Sequence, residues 1–366
     1  MPHKATAISN SNIAFIKYWG NRDAALRIPL NDSLSMNLDH AFTTTTVEFD
    51  PSLNDDVIVI GESETQGAAR ARAIKHLDRV RTLAKIEARA RVHSRNNFPM
   101  GAGIASSASA FAALSLAATR AAGLDLSERE LSILARQGSG SACRSIPAGF
   151  VEWIAGYDSA GSYAYSLAAP EHWDLRDVIA IVSAAEKKVG SSDWHSLAHT
   201  SPFLPARQNN LPARFHRVRH ALLTRDLAML GPAIEEDAVE LHFMAMTSRP
   251  PIFYWSPGMV RVINAAREWR ADGLAVYFTL DAGPNVHLIC EAQDADQVAA
   301  RARNRGCATS DRQRTGRRRA RERGAFVLTI GNWDLSFIIC HFPLVFPIAR
   351  VYNSARLLRL IERKLE

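Results

Sequence analysis

The sequence predicts a mixed α/β fold in two parts, and three observations carry that expectation. Short β-branched runs separated by Gly, Asn, Asp and Pro dominate the first 60 residues. Apolar residues at helical spacing then alternate with further strand-like runs up to about residue 180. Beyond that point long helical runs take over and end in one apparent hairpin. The composition shift places the boundary near 180–190, and no internal repeat is present.

Taken in order, "TTTTVEF" (43–49) and "DVIVI" (56–60) are β-branched and partly alternating, as half-buried strands are. Residues 67–90 read as an amphipathic helix with Ile74, Leu77, Val80 and Leu83 on one face. "ARVHSRNNFP" reads as a strand and loop, and "AFAALSLAATRAAG" (110–123) as a helix of small residues. Ser127 and Glu130 have the spacing of a capping box opening the next helix, and Gly138 stops it. "AGFVEWIAG" resumes as a strand, and 178–189 is a buried strand running to a polar edge. Residues 212–246 make two or three helices and 257–273 another. Residues 274–291 form a hairpin around Asp-Ala-Gly-Pro-Asn.

The bulk chemistry excludes some function classes. The chain of 366 residues carries a net charge of +7, yet residues 301–324 hold ten Arg against Asp311 and Glu322. The rest has 34 basic residues against 35 acidic ones, a neutral body unsuited to a broad nucleic-acid surface. Cysteines at 143, 290, 307 and 340 have neither metal-site nor disulfide spacing, which fits a reducing compartment. The N-terminal residues lack a signal-peptide pattern. The apolar stretch "LSFIICHFPLVFPIA" is too short for a membrane span and holds two prolines. A cytoplasmic protein without nucleic-acid or membrane partners is expected. Residues 301–366 lack the periodicity of the preceding 300. They fit GC-rich DNA read out of frame better than a basic linker, and are expected to be non-catalytic.

The stretch "FPMGAGIASSAS" (98–109) stays open between two readings. It is a tight turn whose small residues let a helix pack closely, or a cradle in which backbone N–H groups and hydroxyls meet a phosphate. It is not a Walker A loop, because no Lys follows its last glycine.

Its spacing, Pro99-x3-Gly103-x2-Ser106-Ser107-Ala108, resembles the phosphate-binding loop of the GHMP kinase superfamily. "NIAFIKYWGNRD" (12–23) with "PLNDSLSMNLD" (29–39), "GSGSACRSIPAGFVEW" (138–153) and "YFTLDAGPNVHLI" (277–289) add three more motifs. Together they resemble, in order, those of the mevalonate diphosphate decarboxylase and phosphomevalonate decarboxylase family. The resemblance covers about residues 5–295 and is lost in the tail. It implies a two-lobed GHMP kinase fold of the α/β (α+β) class, with the active site in the cleft between lobes. The N-terminal ATP-binding lobe would span 1–185 and the C-terminal lobe 186–300, followed by the atypical tail 301–366. A homodimer is the family's habit.

The reaction implied is ATP-dependent decarboxylation of a phosphorylated mevalonate in isoprenoid synthesis, with Mg2+. Asp281 would orient the C3 hydroxyl and receive its proton. Lys17 would neutralise Asp281 or the transferring phosphoryl group. Arg144 can grip a carboxylate or phosphate through two parallel bonds, as Lys cannot. Asn12 would bond the carboxylate, while Tyr18, Ser139, Ser141 and Ser191 would meet the substrate's phosphate. Ser106 and Ser107, with Gly101 and Gly103, would face ATP, Ser107 also facing the metal. Ser94 and Asn96 are further nucleotide contacts, and Cys143 a packing residue. Without the resemblance, Lys17 reads as an exposed strand lysine and Asp281 as a turn residue.

Two positions depart from the family pattern. The basic residues that reach the second phosphate of the substrate are replaced by Ser63 and by Ser192, which Asp193 follows. Each charge-assisted bond lost costs roughly 1.5–3 kcal/mol of binding. The expected substrate is therefore mevalonate 5-phosphate, giving isopentenyl phosphate, with the 5-diphosphate as the alternative. Two other classes compete: a GHMP small-molecule kinase that stops at phosphorylation, and a nucleic-acid binder acting through the Arg-rich tail.

Overall fold

The computed structural model describes residues 3–98, 106–182, 191–304, 327–330, 335–340 and 350–352. Strand β1 (Lys4–Ile16) leads through a small hairpin, β2 (Asn21–Asp23) and β3 (Ile28–Pro29), into β4 (Ser33–Asp50). β1 and β4 pair antiparallel from Lys4↔Glu48 to Ile16↔Leu34, with register shifts at Asn10/Ser11 and Ala14/Ile16. From Thr43 to Asp50 burial alternates residue by residue, so the threonine run is a strand with one face on the core. β5 (Val57–Ile60) and β6 (Ser63–Glu64) form the edge, and α1 (Gly67–Ala84) follows. β7 (Arg89–Asn96) inserts between β4 and β5, antiparallel to the first and parallel to the second.

Helix α2 (Ser106–Ala121) packs on β1 and β4 and is buried almost all round. Its Ala and Ser residues follow from that position, because larger side chains would hold the sheet and the neighbouring helices apart. The hydroxyls buried with it are satisfied: Ser115 donates to the Phe111 carbonyl at 2.6 Å and Thr119 to the Ser115 carbonyl at 2.8 Å. α3 (Glu128–Gly138) opens on the expected capping box of Ser127 and Glu130 and ends at the glycine. A 3₁₀ segment, Gly140–Ser145, then leads to β8 (Phe150–Trp153) and β9 (Ala164–Ala168).

β10 (Leu175–Ile181) is the central strand of the second sheet. Helices α4 (Ser191–Ser196), α5 (Leu204–Thr224), α6 (Leu227–Met246) and α7 (Pro257–Ala271) precede the hairpin β11 (Val276–Thr279) and β12 (Val286–Glu291). α8 (Ala292–Asn304), β13 (Val327–Ile330), β14 (Leu335–Cys340) and β15 (Arg350–Tyr352) complete the described chain. The second sheet runs β11-β12-β10-β14-β13, and β15 joins the edge of the first beside β1. One core cluster joins the two sheets, with Ile13, Phe15, Leu34 and Phe150 meeting Ile179, Leu211, Val218, Leu230 and Ile289. The lobes therefore share apolar surface, and β1 is a wall of both.

Three expectations differ from what is observed. Leu83, placed on the apolar face of α1, is 52% exposed, one residue before the helix ends at Ala84 and the chain turns at Lys85 with a left-handed φ of 55°. The strand expected over 178–189 ends at Ile181, and residues 183–190 lie outside the described residues. The helix expected over 67–90 ends at Ala84, and Arg89 already opens β7. In the tail, β14 pairs with β10 and β15 with β1. The hairpin expected at 274–291 is present, paired from Val276↔Cys290 to Thr279↔His287. Among the described residues no helix is long and apolar enough to cross a membrane.

Gly231 in α6 lies against the Tyr277 ring, where a Cβ would come within 2.1 Å of it. That ring is itself covered by the Arg270 guanidinium at 4.4 Å from its centroid, so it has little room to retreat. Gly231→Ala should lower stability by about 1–3 kcal/mol through overpacking, which exceeds the helix-propensity gain of up to about 1 kcal/mol. A urea midpoint equal to or above that of the unsubstituted chain would show that α6 shifts freely.

Candidate active site

β1 is almost wholly buried, so the residue following it starts inside the protein. That residue is Lys17, whose side chain is 3% exposed and whose Nζ lies 2.7 Å from Asp281 Oδ1. Its backbone is held as tightly. The N–H donates to Asp237 Oδ2 at 2.7 Å, and the carbonyl accepts from Asn31 at 3.1 Å and Arg207 at 3.3 Å. Asp237 is buried in α6 with its second oxygen taking Arg207 and Arg214, each at 3.1 Å. Glu240 closes this network at 2.6 Å from Arg207 and 2.5 Å from Arg214. The pairing matters, because a buried charge with a partner removed costs several kcal/mol.

Asp281 sits at the turn between β11 and β12. Its carbonyl accepts the Gly283 N–H at 2.7 Å and faces His242 Nε2 at 3.2 Å. Behind it His287 Nδ1 lies 2.7 Å from Asp177 Oδ2, both groups buried in the second sheet. Burial pulls the His287 pKa down, but the charge and hydrogen bond of Asp177 outweigh it and leave the ring above the usual histidine value.

Arg144, in the 3₁₀ segment, is 3% exposed. Its guanidinium donates to Ser33 Oγ at 2.6 Å and to Asn12 Oδ1 at 3.3–3.4 Å, both neutral oxygens. Among the described residues no carboxylate forms an ion pair with it. Burial pulls its pKa down, and the charge of Asp281 opposes that pull, which places Asp281 within electrostatic reach. Asn12 Nδ2 donates in turn to Ser145 Oγ at 2.8 Å and to the Ser141 carbonyl at 3.2 Å. Neighbouring Cys143 is fully buried and its thiol is pushed up to about 12 by burial, which suits packing and not nucleophilic attack.

Tyr18 forms the other wall. Its hydroxyl donates to Asn21, and its ring meets Trp153 edge-on at 4.8 Å and stacks on His195 at 3.9 Å. Burial raises its pKa, so the phenol is a donor and not a phenolate. Gly140 is required beside it, since a Cβ there would lie 2.5 Å from the ring. Ser139 Oγ stands 3.2 Å from Ser107 Oγ in the first turn of α2. The 12–39 motif therefore meets the 277–289 motif through Lys17 and Asp281 and the 138–153 motif through Asn12 and Arg144, while Ser107 of the 98–109 stretch meets Ser139.

Ser94 and Asn96 are part of the β7 edge against β4, bonded to Thr45 at 2.9 Å and Thr43 at 2.7 Å. Ser106 opens α2, where its carbonyl accepts from Ser109 at 3.3 Å. Gly101 and Gly103 lie outside the described residues, as do the side chains of Ser191, Ser192 and Asp193. Ser63 is exposed on the edge strand β6. Sequence reasoning missed Asp237, Arg207, His195 and His242. The acidic run "EEDAVE" containing Asp237 reads as a solvated helix face, and only burial of its third residue reveals the clamp.

The family model described as "Diphosphomevalonate decarboxylase-like N-terminal domain" matches residues 9–164. That described as "Mevalonate 5-diphosphate decarboxylase C-terminal domain" matches residues 177–328. The diphosphomevalonate decarboxylase of Ganoderma lucidum is 38% identical over 321 residues, covering 81% of this chain and 80% of that protein. The phosphomevalonate decarboxylase of Haloferax volcanii is 35% identical over 296 residues, covering 81% of this chain and 90% of that protein. The solved structure of MDDEF in complex with MVAPP, AMPPCP and magnesium superimposes with a TM-score of 0.82. It is 32% identical, over 96% of this chain and 99% of that one.

Buried neutral histidines, His76 in the packing of α1 on α2 and His242 beside Asp281, give the fold a pH signature. Burial lowers the pKa of His76 to about 3, and burial with the Lys17 charge lowers that of His242 to about 4. The unfolded chain therefore binds more protons below its own histidine pKa of about 6.5, and stability falls with pH from there toward about 4. The chemical-denaturation midpoint should begin to fall near pH 6.5, and His76→Phe should reduce that slope. A midpoint flat between about pH 6.5 and 5 would contradict the buried neutral state.

Proposed function

Because the chain belongs to the diphosphomevalonate decarboxylase family, we propose a residue-level account of its chemistry. The enzyme is an ATP-dependent decarboxylase of a phosphorylated mevalonate. Arg144 and Asn12 hold the carboxylate of the 3-hydroxy acid, and Asp281 takes the proton of its C3 hydroxyl. The observation that carries this account is Arg144, buried and bonded to neutral oxygens beside the Lys17–Asp281 pair. A guanidinium so placed is completed by an anionic ligand, and its planar fork matches a carboxylate.

The terminal phosphoryl group of ATP passes to the C3 oxygen, ADP leaves, and the hydroxyl proton goes to Asp281. The C3–O bond then breaks and phosphate departs. The C1–C2 bond releases CO2, and its electrons become the C2–C3 double bond. Lys17 keeps Asp281 in register and adds positive charge where the phosphoryl group transfers. ATP and Mg2+ are the cofactors, in keeping with the related structure that contains AMPPCP and magnesium. The Ser107 and Ser139 hydroxyls, 3.2 Å apart at the start of α2, suit a hard cation carried by nucleotide phosphates. Bound there, Mg2+ would neutralise phosphate charge.

The number of substrate phosphates divides the support. Most of the named relatives are diphosphomevalonate decarboxylases, so the comparisons favour the 5-diphosphate over the 5-phosphate expected from sequence. The Haloferax volcanii relative carries the monophosphate name at nearly the same similarity. The residues favour the monophosphate: position 63 is a neutral serine, and Lys17, Arg207 and Arg214 are already paired with carboxylates. Our reading is the 5-phosphate, with the 5-diphosphate as the second reading that the relatives' names support better.

Asp281→Asn should lower kcat at least about a hundredfold while the KM values change little, as for a positioned acid–base group. More than a tenth of the original kcat would remove Asp281 from the reaction. Assayed side by side with Mg-ATP, mevalonate 5-phosphate should give the higher kcat/KM. Ser63→Lys with Ser192→Arg should shift the ratio ten- to hundredfold toward the diphosphate, roughly 1.4–2.7 kcal/mol. A strong native preference for the diphosphate would establish the second reading.

A further inference from the structure

We propose that His242 is a positioning residue for Asp281, donating from Nε2 to its carbonyl as a neutral imidazole; the proposal rests on the role assigned to Asp281 above. His242 is 1% exposed on α6, with Nε2 3.2 Å from the Asp281 carbonyl oxygen. A carbonyl oxygen only accepts, so Nε2 carries the proton. In the neutral ring Nδ1 is then a bare acceptor, and Nδ1 is buried without a hydrogen-bond partner. An imidazolium would bury a second N–H there and add a cation near Lys17; burial and Lys17 hold the pKa to about 4.

The ring is held by its neighbours. Trp194, Tyr254 and Trp255 surround it at centroid distances of 6.1, 5.9 and 6.3 Å. The Asp281 carbonyl thus has two donors, the Gly283 N–H within its own turn and His242 from a helix. The same helix carries Asp237, which accepts the Lys17 N–H. One rigid element therefore sets the backbones of both partners in the 2.7 Å Lys17–Asp281 contact. A turn held only by its own short-range bond would let the carboxylate drift, and a misplacement of about 1 Å can cost about a hundredfold in rate.

His242→Met and His242→Gln separate the hydrogen bond from the packing, since the two side chains match in reach and only Gln donates. The Met variant should lose at least about tenfold in kcat with KM for both substrates within about twofold, and the Gln variant should recover most of the loss. Nitrogen-15 NMR of the unsubstituted enzyme at pH 7 should show His242 as the neutral Nε2–H tautomer. Unchanged kcat in the Met variant, equal losses in Met and Gln, or a Nδ1–H or doubly protonated ring would each overturn the proposal. If the Met variant does not fold, the tautomer decides. Asp281→Asn run in parallel keeps the two readings apart. Its full activity would sink the Asp281 assignment, whereas an inactive Asp281→Asn with an intact Met variant would sink only the role of His242.

Discussion

Lys17 is held by backbone and side chain together, and the geometry of the cleft follows from that double hold. Its N–H ends on Asp237 and its carbonyl on Arg207 and Asn31, so the chain leaving β1 has no freedom to swing. Its ammonium ends on Asp281 of the opposite lobe. Ile16 beside Lys17 and Ile234 on α6 belong to the apolar cluster shared by the two sheets. Desolvating so many charges is tolerable because each has partners: Asp237 with Arg207 and Arg214, those with Glu240, and Lys17 with Asp281.

Against that paired background Arg144 stands out. Its bonds to Ser33 and Asn12 satisfy its geometry but not its charge. Under the proposed reaction this arrangement would be preorganised, with fixed charges and donors already in place and little reorganisation left at the moment of reaction. The 3₁₀ segment that supplies Arg144 can lie against Tyr18 only because residue 140 is a glycine. In the described part of "FPMGAGIASSAS", close packing of the small-residue helix α2 on β1 and β4 brings Ser107 up to Ser139, and residues 99–105 lie outside the described residues.

Much of this was legible in the chain itself. Local signals are short-range and physical: the alternating threonines of β4, the Ser127–Glu130 box and the glycine that ends α3 each act within a few residues. Leu83 shows the limit. It has the right spacing for a buried face, yet it lies in the last turn of α1 and is exposed, and no helical periodicity reports where a partner surface stops. The tail shows another. Its strands are weak by pattern, and their place beside β10 and β1 depends on edges that only the assembled sheets offer.

The sequence by itself determined the family, the order of the motifs and the residue types for carboxylate, phosphate and proton chemistry, because those depend on side-chain identity at fixed short spacings. Only the tertiary structure decided which of them act together. Lys17 and Asp281 are 264 residues apart in the chain and 2.7 Å apart in space. Asp237 and His242, ordinary helix residues by pattern, became an anchor and a donor through burial. Burial and partnership set the charge and hydrogen-bonding role of a side chain, and both are properties of the packed interior that no local stretch of sequence contains.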